Sequence, residues 1–186
     1  MSEITVKNIK GPTIMLVSGS YFDFADPESC DFSIEDIAHA LAHICRFTGH
    51  CREFYSVAQH SVLVSLVVPP KYAFHGLMHD AAEAFVGDVA KPLKVLLPEY
   101  KAIEDRVEAA VFARFGLPER LPQCVKDADR VLLRTEQRDL MGADKHQWLF
   151  TQGTIPMTER IQALGPIEAM RLFLARYDAL QLMGAK

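Results

Sequence analysis

The sequence predicts a mainly α-helical domain with a small β-hairpin at its N-terminal end. Three observations carry this. Apolar residues recur at helical spacing from about residue 33 to the end. Short β-prone runs occur only near the start, on either side of a Ser-Gly-Ser turn. The breaks between helical stretches fall at Gly or Pro, and no linker is long enough to divide the 186 residues, so 1–186 reads as one domain. Nearly half of the residues are hydrophobic, 49%, which suffices for one substantial core.

The elements follow in order. Residues 13–17 and 21–24 form the hairpin, and 26–31 reads as a loop that completes an N-terminal unit of 1–32. The helical core, 33–186, begins at Ser33, where Asp36 three residues on makes a capping box, and the first helix runs through about 45. Ile34, Ile37, Ala38, Leu41 and Ile44 mark its buried side. Gly49 breaks the pattern. A second helix spans 56–67 and stops at Pro69-Pro70, and a third runs from about 72 to Gly87. Charged helix 99–115 ends at Gly116 and has a solvated face. Helices at 122–140 and 167–182 complete the chain.

The formal net charge of −4 argues against a broad basic surface for nucleic acid. The four cysteines lack CxxC spacing and read as reduced thiols in a cytoplasmic protein. The first residues carry no signal-peptide pattern, and no apolar run reaches membrane-spanning length.

His60 on the second helix, His79-Asp80 on the third and Asp129 on a later one are candidates for a single site. Two imidazoles and two carboxylates without a thiolate suit Mn, Co, Ni, Fe or Zn and leave coordination positions open. Taken singly, each residue is explained as well by packing or solvation. The order His, His-Asp, Asp is what lifts them. In this order the chain resembles the HD superfamily of metal-dependent phosphohydrolases over most of its length.

The segment from His79 through Glu83 and Asp88 to Lys94 is similar to bacterial 5'-deoxynucleotidases of that superfamily. The resemblance implies one divalent ion (Co, Mn, Zn, Ni, Fe or Mg) held by His60, His79, Asp80 and Asp129. It implies proton-transfer roles for Glu83 and Asp88, although Asp88 also suits an ordinary turn residue. It implies that Arg46 contacts phosphate and that Phe47, standing where the family has Trp, lies near the sugar. Arg46 equally suits a helix C-terminus. Lys94 and Lys126 match basic positions that would complement phosphates, or are solvated lysines.

The N-terminal region through Arg46-Phe47 is similar to short bacterial and phage HD phosphohydrolases, some of which act on triphosphates. The expected function is therefore hydrolysis of a deoxynucleoside 5'-monophosphate to deoxynucleoside and phosphate. A deoxynucleoside triphosphate triphosphohydrolase is the alternative within the class, and a non-catalytic nucleotide-binding sensor is the alternative outside it. The expected partner is a small nucleotide, without nucleic acid or membrane, and related deoxynucleotidases make a homodimer the candidate assembly.

Other signals are set aside. His39 and His43, four apart among core-facing positions, are read as packing or hydrogen-bonding residues. His75 would need a further downstream ligand to build a second metal site, and only His146 offers one, so a mononuclear site is favoured. Met141, Trp148 and Phe150 are read as core or interface.

Overall fold

In the computed structural model, which describes residues 11–142 and 148–184, the chain is mainly α-helical with a two-stranded antiparallel hairpin at the N-terminal end. Among the described residues, no helix is long and apolar enough to cross a membrane. His146 and the first ten residues lie outside the described residues.

Strands β1 (Thr13–Met15) and β2 (Tyr21–Asp23) pair with Ile14 opposite Phe22. Only one side of β2 enters the core: Phe22 is fully buried and stacks on Phe85 with ring centroids 4.0 Å apart. Residues 26–31, expected as a loop, contain a 3-10 turn at Pro27–Ser29. Helix α1 (Ile34–His43) starts with the expected capping box between Ser33 and Asp36. Asp36 also accepts from the Ser18 amide at 3.0 Å, which ties the hairpin turn to the helix start. The chain leaves α1 two residues earlier than expected, because Cys45 pairs as an isolated antiparallel bridge with Ser56. His43 is exposed rather than core-facing, and its Nδ1–H donates to the His39 carbonyl at 2.7 Å.

Helix α2 (Val57–Val67) is the axis of the fold. Val57 through Val62 are all buried, so this part of the helix is enclosed on every side, while Leu66 toward its C-terminal end is exposed. It packs against α1, α3 (Ala73–Met78), α7 (Gln123–Leu140) and α8 (Pro166–Leu182). Gly76 permits the closest of these approaches. A Cβ there would lie 3.0 Å from the Ser65 Cα and 3.1 Å from a Val68 methyl. On the far side, Arg176 of α8 donates to the Ser65 hydroxyl and carbonyl, both at 3.0 Å.

The third expected helix is two. After α3 the chain tightens through residues 79–82 and resumes as α4 (Glu83–Val86), ended by Gly87 at φ +83°. The amides of Ala81 and Glu83 bond three residues back, to Met78 and Asp80, instead of four. A short helix α5 (Lys91–Lys94) fills a stretch the sequence left unassigned, and α6 (Pro98–Arg114) follows. The polar segment before α8 is held by specific bonds. Gln59 bonds the Gln162 carbonyl and the Leu164 amide, and Asp139 accepts from the Ile161 amide and ion-pairs with Arg138 and Arg160.

Bonding to Arg138 holds the Asp139 carboxyl down to about 2, against some burial that acts the other way. A lowered carboxyl pKa stabilises the fold above the unfolded value near 4 and ceases to do so as pH falls through 2. Asp139→Asn should therefore lose about 1–2 kcal/mol at pH 7 and nothing near pH 2, read by denaturant unfolding at both pH values. Equal loss at both would contradict the ion-pair account. Gly76→Ala should cost about 1–3 kcal/mol by forcing α3 off α2, measured the same way.

Candidate metal centre

His60 lies in the first turn of α2 and is completely buried. An imidazole there needs partners for both nitrogens. Its Nδ1 meets Glu136 Oε1 at 2.6 Å, and its Nε2 stands 3.3 Å from His79 Nε2, 3.3 Å from Asp129 Oδ1 and 3.5 Å from Asp80 Oδ2. His79 Nε2 is 3.2 Å from the same Asp80 oxygen. His79 is aimed by its other nitrogen, whose N–H donates to the Gly76 carbonyl at 2.9 Å. A continuous helix would offer that carbonyl to the Asp80 amide. The break at 79–82 thus explains how adjacent His and Asp side chains face one point, which neighbours on a regular helix do not.

The structure brings together all four residues that the sequence nominated. His60, His79 and Asp129 each offer an atom within 4.8 Å of the others, a group able to hold a metal ion. Asp80 stands beside both imidazoles and is also drawn toward Arg46, 3.7 Å away. Ligands at about 2.0–2.2 Å from one ion are separated by roughly 3.0–3.5 Å at their edges, and the four contacts among Nε2 and carboxylate atoms fall in that range. The donor set therefore fits a divalent ion of borderline hardness. Among the described residues, His75, His39 and His43 join no such group.

Beside this cluster opens a cleft of about 430 Å³, lined by His79, Asp80, Glu83 and Asp129 and by Lys91, Lys94, Lys101, Lys126 and Arg130. Lys94 and Lys126 are thus at the cleft, as expected. Lys94 is bonded to Glu104 at 2.5 Å and lies 3.6 Å from Glu83. Glu104 and Glu108 also line the cleft, and Glu104 is buried, so α6 turns part of its charged face toward the site rather than to solvent.

Glu83 is buried, and its Oε2 has no hydrogen-bond partner. Burial, with Asp80 and Asp88 nearby, pushes its carboxyl well above the usual range, against Arg46 and Lys94. Asp88 is raised by burial and by Asp80, with Arg46 opposing. Asp80 behaves oppositely: burial would raise it, but the His79 and His60 imidazoles and Arg46 hold it far below the ordinary value. Two nearby carboxyl groups are thus driven in opposite directions.

Arg46 is not placed as the resemblance implied. It is buried beneath the cluster and is not part of the cleft wall. Its guanidinium lies 3.2 Å from Glu136 and 3.7 Å from Asp80 and Asp88. Asp88 faces this guanidinium and is likewise absent from the cleft wall. Phe47 also stands off the cleft: at φ +54° it turns toward Trp148, with ring centroids 5.7 Å apart. Phe150 is exposed, with Lys91 over its ring at 4.5 Å, and so is not core. Sequence reasoning missed Glu136 altogether. The available signal was its spacing of seven from Asp129 on α7, which returns to the same helix face.

Fold and cluster together define a helical protein with a candidate divalent-metal centre at the edge of a lysine-lined cleft. No family model matches the chain. It is 44% identical over 169 residues to the uncharacterized protein YfdR of Escherichia coli strain K12, spanning 90% of this chain and 94% of that one. It is also 38% identical over 141 residues to an uncharacterized protein of Rhodobacter capsulatus, spanning 68% and 72% of the two chains. The chain belongs to the YfdR family.

His60→Ala and Asp129→Ala should each weaken Co²⁺ binding by more than the roughly 10–100-fold typical of an outer-shell partner, measured by calorimetry. Lys71→Ala, remote from the cleft, should leave it unchanged.

Proposed function

We propose that this protein is an HD-type, divalent-metal-dependent phosphohydrolase whose substrate is a deoxynucleoside 5'-monophosphate. The observation that carries the reading is the convergence of His60, His79-Asp80 and Asp129, in that chain order, from three separated segments beside a cleft lined with cations. Co, Mn, Zn, Ni, Fe and Mg are all compatible with the nitrogen and oxygen donors. When bound, such an ion supplies Lewis-acid polarisation of a phosphoryl oxygen and of a water.

The chain's own residues do the rest. Lys91, whose ammonium lies over the Phe150 ring, and Lys126 reach the cleft without a carboxylate ion pair among the described residues, which leaves their charge to neutralise phosphate. They take the part that the resemblance gave to Arg46. Glu83, its carboxyl pushed well above the usual range by burial and by neighbouring carboxylates, is suited to give a proton to the departing 5'-oxygen. Asp88, which lies off the cleft wall against Arg46, is the second carboxyl group in this reading, assigned to the proton of the attacking water. A pure nucleotide sensor needs no such pair of carboxyl groups.

A triphosphate substrate is the second reading. It is favoured by the length of the basic lining, which continues through Lys101 and Arg130, although these two are paired with Glu104 and Asp105 and with Asp127.

Purified protein supplied with Co²⁺ or Mn²⁺ should release inorganic phosphate from dAMP, whereas triphosphate release from dATP would select the second reading. Nucleotide binding without release of either would contradict both. Glu83→Gln should retain the ion and lose about 10²–10⁴-fold in kcat. A variant as fast as wild type would remove Glu83 from proton transfer.

A further inference from the structure

We infer that Glu136 is the positioning residue that makes His60 a metal ligand: it accepts the Nδ1 proton and so turns Nε2 toward His79, Asp80 and Asp129, with Arg46 as its counter-charge. The inference rests on the metal-centre reading of this site and adds a residue that no motif supplied.

The two oxygens of Glu136 are separately committed. Oε1 is 2.6 Å from His60 Nδ1, and Oε2 is 3.2 Å from Arg46 Nη2. The carboxylate is completely buried, so water does not replace either partner. Asp129 and Glu136 lie seven residues apart on α7, about 10.5 Å along the helix axis. Their side chains reach the opposite nitrogens of a single imidazole. One helix thus delivers a ligand on one side of His60 and fixes the ring from the other.

An imidazole that donates from Nδ1 to a carboxylate presents its Nε2 lone pair in a fixed direction. Such partners typically contribute 10–100-fold in metal affinity. Arg46 gives the buried carboxylate a reason to remain in place, because it also holds Asp80 on the far side of the cluster. The geometry links the outer partner of one ligand to a second ligand through a single guanidinium.

The test combines histidine NMR with Co²⁺ calorimetry on the full chain. Wild type should show a far-downfield, slowly exchanging proton on His60 Nδ1. Glu136→Ala should lose that signal and bind Co²⁺ about 10–100-fold more weakly. Glu136→Gln keeps an acceptor oxygen but no charge, so the proton should remain, shifted upfield, with a smaller loss of affinity. Should the alanine variant fail to fold, the wild-type and glutamine spectra decide. Absence of a proton on His60 Nδ1 in wild type, or an unchanged resonance in Glu136→Gln, overturns the inference. So does normal Co²⁺ affinity in a folded Glu136→Ala protein. Failure of the wild type to bind Co²⁺ overturns the metal-centre reading instead, and the inference with it.

Discussion

An ionisable cluster set inside the core is the constraint from which the rest of this structure follows. His60 lies in the N-terminal half of α2, the part of that helix enclosed on all sides. Its Nδ1 partner is Glu136, also fully buried, and Glu136 is paired in turn with Arg46, which is nearly so. Charged groups in such a place are tolerated only when paired and hydrogen-bonded. Arg46 meets three carboxylates, Glu136 takes one nitrogen of His60, and the other nitrogen faces His79, Asp80 and Asp129. Breaking any one contact strands the others. The cluster holds together α2, α7, the α3–α4 turn and the segment after α1.

The surrounding architecture serves to place that cluster at the edge of solvent rather than wholly inside. α3 approaches α2 closely only because Gly76 has no side chain, and the Gly76 carbonyl then aims His79. The chain departs from helix at residues 79–82, so that Asp80 joins His79 on one side. Glu83 begins the next turn at the cleft wall, its unpartnered oxygen shielded from solvent. Opposite shifts in Glu83 and Asp80, two carboxyl groups three residues apart, follow from this placement.

Local signals carried much of this into the sequence. The Ser33–Asp36 box, the Pro69-Pro70 stop and Gly116 each act within one helical turn, so their consequences are readable without knowing the fold. The metal candidates were legible through their order along the chain. What stayed hidden depends on distant partners. Arg46 and Glu136 are 90 residues apart, and His60 and Glu136 are 76 apart. An arginine destined for burial looks, in sequence, like one waiting for phosphate. Glu104 illustrates the same limit, since its helix has a charge pattern that reads as solvated, while its own side chain is buried against Lys94. The split between α3 and α4 contains no Gly or Pro to announce it, only a side-chain claim on a backbone carbonyl.

X-ray absorption spectroscopy of Zn²⁺-loaded protein bears most directly on the central claim. Two imidazole nitrogens and carboxylate oxygens at about 2.0–2.2 Å, with no sulfur and one ion per chain, are the expected first shell. Sulfur ligation, or zinc without imidazole scattering, would contradict a centre built from His60, His79, Asp80 and Asp129.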